Sequence, residues 1–147
     1  MKELLVQKLR PDAKLPRRAT AQSAGYDLCS CIDGPLPLPA RGRVVVPTGI
    51  AIAIQDSGVA GFVFGRSGLG IKEGICPSNA VGVIDADYRG EIMVGLSNHS
   101  DRDYIIQPGD RIAQLVLLPV ETPSLVEPQT LPGTDPGALG FGSTGRQ

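Results

Sequence analysis

Turn formers interrupt this chain so often that a long helix has no room. Glycine and proline recur between short apolar runs at intervals of about eight to twelve residues, the rhythm of an antiparallel all-β domain. The sequence holds 19 Gly and 13 Pro and lacks Trp, so helices should be scarce. Inside the runs the side chains alternate. Ile50, Ile52 and Ile54 are separated by Ala51 and Ala53, a period of two that leaves both strand faces apolar. Such a strand needs cover on both sides, in a sandwich interior or at a subunit interface. Further strands are predicted over residues 2–9, 24–29, 43–54, 61–64, 92–96, 103–106 and 111–118, with loops at 10–19 and a proline-rich connector at 34–39. This pattern predicts a β-sandwich or jelly roll.

A length of 147 residues suits one domain with a real core. The chain changes character late: residues 127–147 are rich in Pro and Gly, and Phe141 is their one aromatic. A segment so poor in aliphatic mass cannot offset its own ordering entropy. The division expected is a β domain over 1–126 and a flexible arm over 127–147. In that arm Phe141 is either a misplaced hydrophobe or a lid that stacks on a ligand.

The formal charge of -1 argues against a general nucleic-acid surface. No apolar run reaches the roughly 20 residues of a membrane span, and the first residues lack a signal-peptide layout, so a cytoplasmic protein is expected. Cys29 and Cys31, two apart on a predicted strand, share a face; with only Cys76 and His99 to add, a metal set would be thin. Buried or half-buried free thiols are the expectation, and His99 sits in a polar turn where it should be solvated.

The stretch 79–92 reads as strand, tight turn and strand, presenting Asp85, Asp87, Tyr88 and Arg89 at the mouth of a hairpin. Arg66-Ser67-Gly68 lies in a glycine-rich turn that is either a phosphate cradle or a hairpin end with an exposed cation. Gln114, inside an apolar strand, should have a partner, which could be backbone. Residues 142–145 resemble an anion nest and equally a linker.

Taken in order, five segments resemble the trimeric dUTPases, or dUTP pyrophosphatases: Ala24-Gly25-Tyr26-Asp27-Leu28, Gly65-Arg66-Ser67-Gly68-Leu69-Gly70, the run from Gly82 through Asp85, Asp87 and Tyr88 to Gly90, Gly109-Asp110-Arg111-Ile112-Ala113-Gln114-Leu115, and Gly140-Phe141-Gly142-Ser143-Thr144-Gly145. One short match would be weak, but five in order are specific. The resemblance implies an all-β, jelly-roll-like, distorted barrel that assembles as a homotrimer with shared sites. It implies hydrolysis of dUTP to dUMP and pyrophosphate with Mg2+, limiting uracil in DNA and supplying dUMP.

Carried over residue by residue, Asp85 would activate the attacking water and hold the sugar 3′-hydroxyl. Tyr88 would pack beneath the sugar and exclude a 2′-hydroxyl. The backbone of Val81, Gly82 and Val83, with Asn79, would read uracil. Arg66, Ser67, Gly68 and Gln114 would hold the phosphates, and Asp27 would hold waters on a Mg2+ ligated by them. Phe141 would stack on the base, with Gly142, Ser143 and Thr144 wrapping the terminal phosphates.

The chain departs from the family pattern where Pro136 replaces the arginine that opens the fifth motif, where Leu139 replaces a glycine, and at Gly65, where proline is common. Arg146 is the nearby cation that could compensate. The Pro136 departure favours one alternative, a weakly active dUTP-binding trimer with a regulatory, protein-engaging role. A dCTP deaminase of related architecture would need a proton-handling glutamate near the hairpin, where Ala86 and Asp87 stand instead.

Overall fold

The isoleucine-rich run does lie at the centre of a sheet. The computed structural model describes residues 1–134. In it β4 (Arg43–Ala53) is flanked by β1 (Leu5–Lys8) and β8 (Glu91–Asn98), with β6 (Ile75–Pro77) beyond β8. A second four-stranded sheet has the order β2 (Tyr26–Cys29), β10 (Arg111–Pro119), β5 (Val59–Phe64), β7 (Gly82–Ile84). A small ribbon pairs β3 (Leu36–Leu38) with β9 (Tyr104–Ile106). All these pairings are antiparallel, as the turn rhythm requires.

Between the sheets lies one core. Leu28 and Leu115 from one sheet, Val46, Ile50, Ile52, Val94 and Leu96 from the other, and Leu38 and Ile106 from the ribbon are all buried. Each such side chain contributes about 1.5–3 kcal/mol of burial. Ile50 and Ile52 thus find their cover inside the chain. The polar groups enclosed with them have partners: Thr48 Oγ1 donates to the carbonyl of Ile92 at 2.6 Å, and Asn98 Nδ2 donates to those of Leu38 and Arg102.

β4 turns a corner at Gly49, whose φ is +69°. Before it, Arg43 to Pro47 pair with β8; after it, Ile50 to Ala53 pair with β1. Beyond the corner the ladder to β8 resumes at Ala51 opposite Glu91, with a shift of register.

Three readings of the sequence need correction. Residues 34–39 are more than a connector, because Leu36–Leu38 forms β3 and buries Leu38 against the core. Residues 67–73 are a short helix, α1 (Ser67–Glu73), rather than a continuing glycine turn. Gly68 and Gly70 lower its propensity, but the segment is closed by Gly74 in the left-handed region and tied at both ends to strands. Residues 79–92 are not a ladder-forming hairpin: β7 pairs with β5, whereas β8 pairs with β4 and β6. Ile84 and Ile92 are both buried, one from each sheet, so the link between them crosses the sandwich.

The thiols of Cys29, Cys31 and Cys76 are free, with Cys31 buried and the others half-buried, and His99 is exposed. Burial pushes the Cys31 thiol above its ordinary value of 9.0. The unfolded chain therefore ionises first. Above about pH 9 it releases a proton that the folded chain keeps, so stability present below that pH is lost as pH rises. Melting curves between roughly pH 8 and 10.5 should show this loss, with a shallower slope in Cys31→Ala.

Candidate active site

Strand register brings the cradle residues together. On β10, Gln114 stands opposite Asp27 of β2 on one side and Phe64 of β5 on the other. The chain leaves β5 through Gly65 to Arg66, which thus arrives beside Asp27. Arg66 Nε donates to Asp27 Oδ1 at 3.2 Å, a pair about three-quarters shielded from water. Arg111 Nη1 approaches the other oxygen, Asp27 Oδ2, at 3.6 Å. Gln114 Nε2 donates to the Gly65 carbonyl at 2.9 Å, the backbone partner that its place in an apolar strand required.

A cleft of about 180 Å3 opens over this group, lined by Asp27, Arg66, Ser67, Gly68 and Gln114 with Ser23. A Cβ at position 25 would sit 2.4 Å from Gln114 Oε1, so any larger residue there must displace the Gln114 amide from its place in the cleft. A guanidinium, a hydroxyl, a side-chain amide and one carboxylate face a space the size of a few oxyanions.

The second cleft, about 370 Å3, is floored by Val63, Ile84, Ile92 and Val94 and edged by Asn79, Gly82, Val83, Asp85 and Tyr88. It forms where the link from β7 to β8 passes over the end of the sandwich. Tyr88 N–H donates to the Asp85 carbonyl at 3.1 Å and closes the turn, while Tyr88 Oη donates to the Glu91 carbonyl at 2.8 Å and parks the ring. Arg89 folds back on the carbonyls of Ala86 and Tyr88 and braces the same turn. β7 is the outer strand of its sheet, so half of its backbone donors and acceptors have no strand partner and face outward. Val81 lies off the lining, with its N–H bonded to the Asn79 carbonyl at 2.7 Å.

The two clefts share no lining residue. The sequence-predicted residues therefore fall into two groups within one chain, the cradle and the β7–β8 link, rather than one continuous pocket. Phe141, Gly142, Ser143 and Thr144, and the departures at Pro136 and Leu139, lie outside the described residues. Sequence reasoning overlooked Arg111, although it sits within a matched motif, and gave no role to Gly25. Among the described residues no three His, Cys, Asp or Glu side chains cluster as metal ligands. A lone carboxylate such as Asp27 suits an outer-sphere hold on a cation whose direct ligands are phosphate oxygens.

A sequence model of the dUTPase family matches residues 11–145. The chain belongs to the dUTPase family. Among curated dUTPases, the deoxyuridine 5′-triphosphate nucleotidohydrolase of Psychrobacter cryohalolentis is 48% identical over 134 residues, covering 90% of this chain and 87% of that one. The enzyme of the same name from Aeromonas hydrophila is 43% identical over 145 residues, covering 99% and 95%. The dUTPase of Staphylococcus bacteriophage 80alpha, solved with dUpNHpp, superposes with a TM-score of 0.87 at 28% identity over 99% of this chain and 100% of that one. A variant dUTPase of phage phi11, described with a structural Mg(II) ion, superposes with a TM-score of 0.79 at 26% identity, covering 88% and 98%.

Proposed function

We propose that this chain hydrolyses dUTP to dUMP and pyrophosphate, limiting uracil in DNA and supplying dUMP, and that it does so as a homotrimer. The observation that carries the reading is the division of the site: a phosphate cradle and a base-and-sugar cleft, both built from dUTPase motifs, that share no residue within one chain. In a homotrimer the cradle of one copy would work with the cleft beside the β7–β8 link of another.

In that site the outward backbone of Gly82 and Val83, with Asn79 and the turn at Val81, reads the uracil edge. A base with the opposite donor pattern leaves these groups unpaired, a penalty of about 1–3 kcal/mol per group. Tyr88 lies under the sugar. Arg66, Ser67, Gly68 and Gln114 hold the phosphates in line. Water attacks the α-phosphorus, its proton passes to Asp85, and the bridging P–O bond to the β-phosphate breaks. Asp27 is the residue that would hold waters of a Mg2+ carried by the phosphates. When bound, the ion draws charge off the phosphate chain.

Residues 127–147 form the arm that completes the site after the 1–126 domain, with Phe141 stacking on the base and Gly142, Ser143 and Thr144 on the phosphates. The proposed place of action is the cytoplasm; no described helix is long and apolar enough to cross a membrane.

The test is pyrophosphate release from dUTP, dCTP, dTTP and UTP with Mg2+, together with the mass of the particle in solution. Selective dUTP turnover by a trimer supports the reading; absence of turnover, or a monomer with full activity, refutes the corresponding part. Gly90 offers a finer check. An added Cβ there would meet Tyr88 Oη at 2.6 Å and Cζ at 2.8 Å, so Gly90→Ala must push the ring off the Glu91 carbonyl. The expected result is at least a tenfold loss of preference for dUTP over UTP, roughly the value of one packing contact.

A regulatory reading draws support from the neighbour in phage 80alpha, described as controlling transfer of virulence genes. Its test here is whether a catalytically silent variant still engages a protein partner in a dUTP-dependent way.

A further inference from the structure

Behind Asp27, on the side away from the cradle, lies a larger cleft of about 810 Å3. Lys8, Lys14, Arg17, Arg18 and Arg111 line it, against the carboxylates of Asp27 and Asp110. This concentration of cations is local, since the whole chain carries a formal charge of -1. Among the described residues, Lys8, Lys14, Arg17 and Arg18 have no carboxylate partner within 4.0 Å. Asp110 is already engaged, accepting from the Gln107 N–H at 2.8 Å.

The loop bearing these cations is fixed at two points. Ala13 is buried in the core, and the Arg17 carbonyl accepts from the Asp27 N–H at 2.8 Å. Lys14 Nζ is held near the turn at Gly109, whose carbonyl it reaches at 3.3 Å. Charges on an anchored loop are placed before a ligand arrives, which lowers the ordering cost of binding one.

Asp27 is the wall between the two clefts. One of its oxygens meets Arg66 on the cradle side and the other meets Arg111 on this side, and both Asp27 and Ala19 line both spaces. The cationic cleft thus adjoins the space beside Arg66 and Gln114, with Asp27 and Ala19 common to both.

We propose that the cleft is a second phosphate subsite, in which Lys14, Arg17 and Arg111 take the distal end of a polyphosphate. Its occupant is a terminal phosphate group, either of the bound nucleoside triphosphate or of pyrophosphate after cleavage. The proposal rests on the nucleotide reading above and extends it to residues outside the five motifs, Lys14 and Arg17. Arginine forks and a lysine point charge suit a doubly charged phosphate that has lost part of its water.

The test titrates pyrophosphate into the full chain by calorimetry, without turnover, for the wild type, Arg17→Gln and Lys14→Gln/Arg17→Gln. Arg43→Gln is the control, since it removes an exposed charge that does not line the cleft. Lys14 and Arg17 are exposed, so the fold should survive, and dUMP affinity should stay unchanged. Pyrophosphate binding is expected to weaken about tenfold in the single variant and about a hundredfold in the double one. A parallel rise in KM for dUTP assigns the subsite to the terminal phosphate of the substrate. An unchanged KM with weaker product inhibition assigns it to pyrophosphate. Unchanged pyrophosphate affinity in the double variant, or an equal loss in Arg43→Gln, overturns the proposal. Because the titration needs no catalysis, absence of dUTP turnover in the wild type would count against the hydrolase reading separately.

Discussion

Asp85→Asn is expected to lower dUTP turnover by about 10²–10⁴-fold while leaving the melting temperature and the affinity for a non-hydrolysable dUTP analogue near wild type. Asp85 is exposed at the edge of the cleft beside the β7–β8 link, and its backbone carbonyl, not its carboxylate, closes the turn with Tyr88. An amide of the same size keeps that turn and can still accept a hydrogen bond from a sugar hydroxyl. It does not take a proton from water at neutral pH. Single-turnover pyrophosphate release measures the loss and calorimetry measures the retained binding; turnover within tenfold of wild type would remove Asp85 from the role of base.

The largest effect on stability is expected at Gly49. Alanine there must hold a φ of +69°, and its Cβ would lie 2.7 Å from Cys31 Sγ and 2.9 Å from the Ala13 Cβ. Backbone strain of about 1–2 kcal/mol adds to overpacking of about 1–3 kcal/mol, so Gly49→Ala should cost about 2–5 kcal/mol in urea unfolding. Gly70→Ala is the contrast. Within α1, the nearest atom to an added Cβ is the Ile75 carbonyl oxygen at 3.8 Å, and a gain of about 0.5–1 kcal/mol is expected from helix propensity. Equal effects at the two positions would contradict the corner at Gly49.

Most strands could be read from the sequence because their apolar residues alternate and their ends carry turn formers. β10 shows this well: buried Ile112, Ala113 and Leu115 mark it as core, and the polar Gln114 among them announced a site. Two strands escaped because each spans only three residues and carries a proline, Pro37 in β3 and Pro77 in β6, which reads as loop when the pairing partner is unknown. The link from Ile84 to Ile92 was mistaken for a hairpin for a related reason. A local pattern shows that two strands flank a turn but not which sheet each will join.

The cradle residues were identified from motif resemblance, not from periodicity, and only the fold explains why they meet. Gln114 and Asp27 are 87 positions apart in sequence and directly opposite in register. The cationic cleft was not legible at all. Lys14 and Arg17 sit in a loop that composition marks as solvated, and their position beside Asp27 depends on the buried Ala13 and on the Arg17–Asp27 backbone bridge, neither of which a local pattern shows.

β10 runs between β2 and β5, the strands that deliver Asp27 and Arg66. During synthesis, therefore, the carboxylate and guanidinium of the cradle have no shared scaffold until the chain has been made through Pro119. A nascent or truncated chain that ends before β10 retains every strand of the first sheet and of the ribbon but leaves β2 without its strand partner. The Asp27–Arg66 pair and the cleft around it are thus assembled late, when β10 enters between β2 and β5.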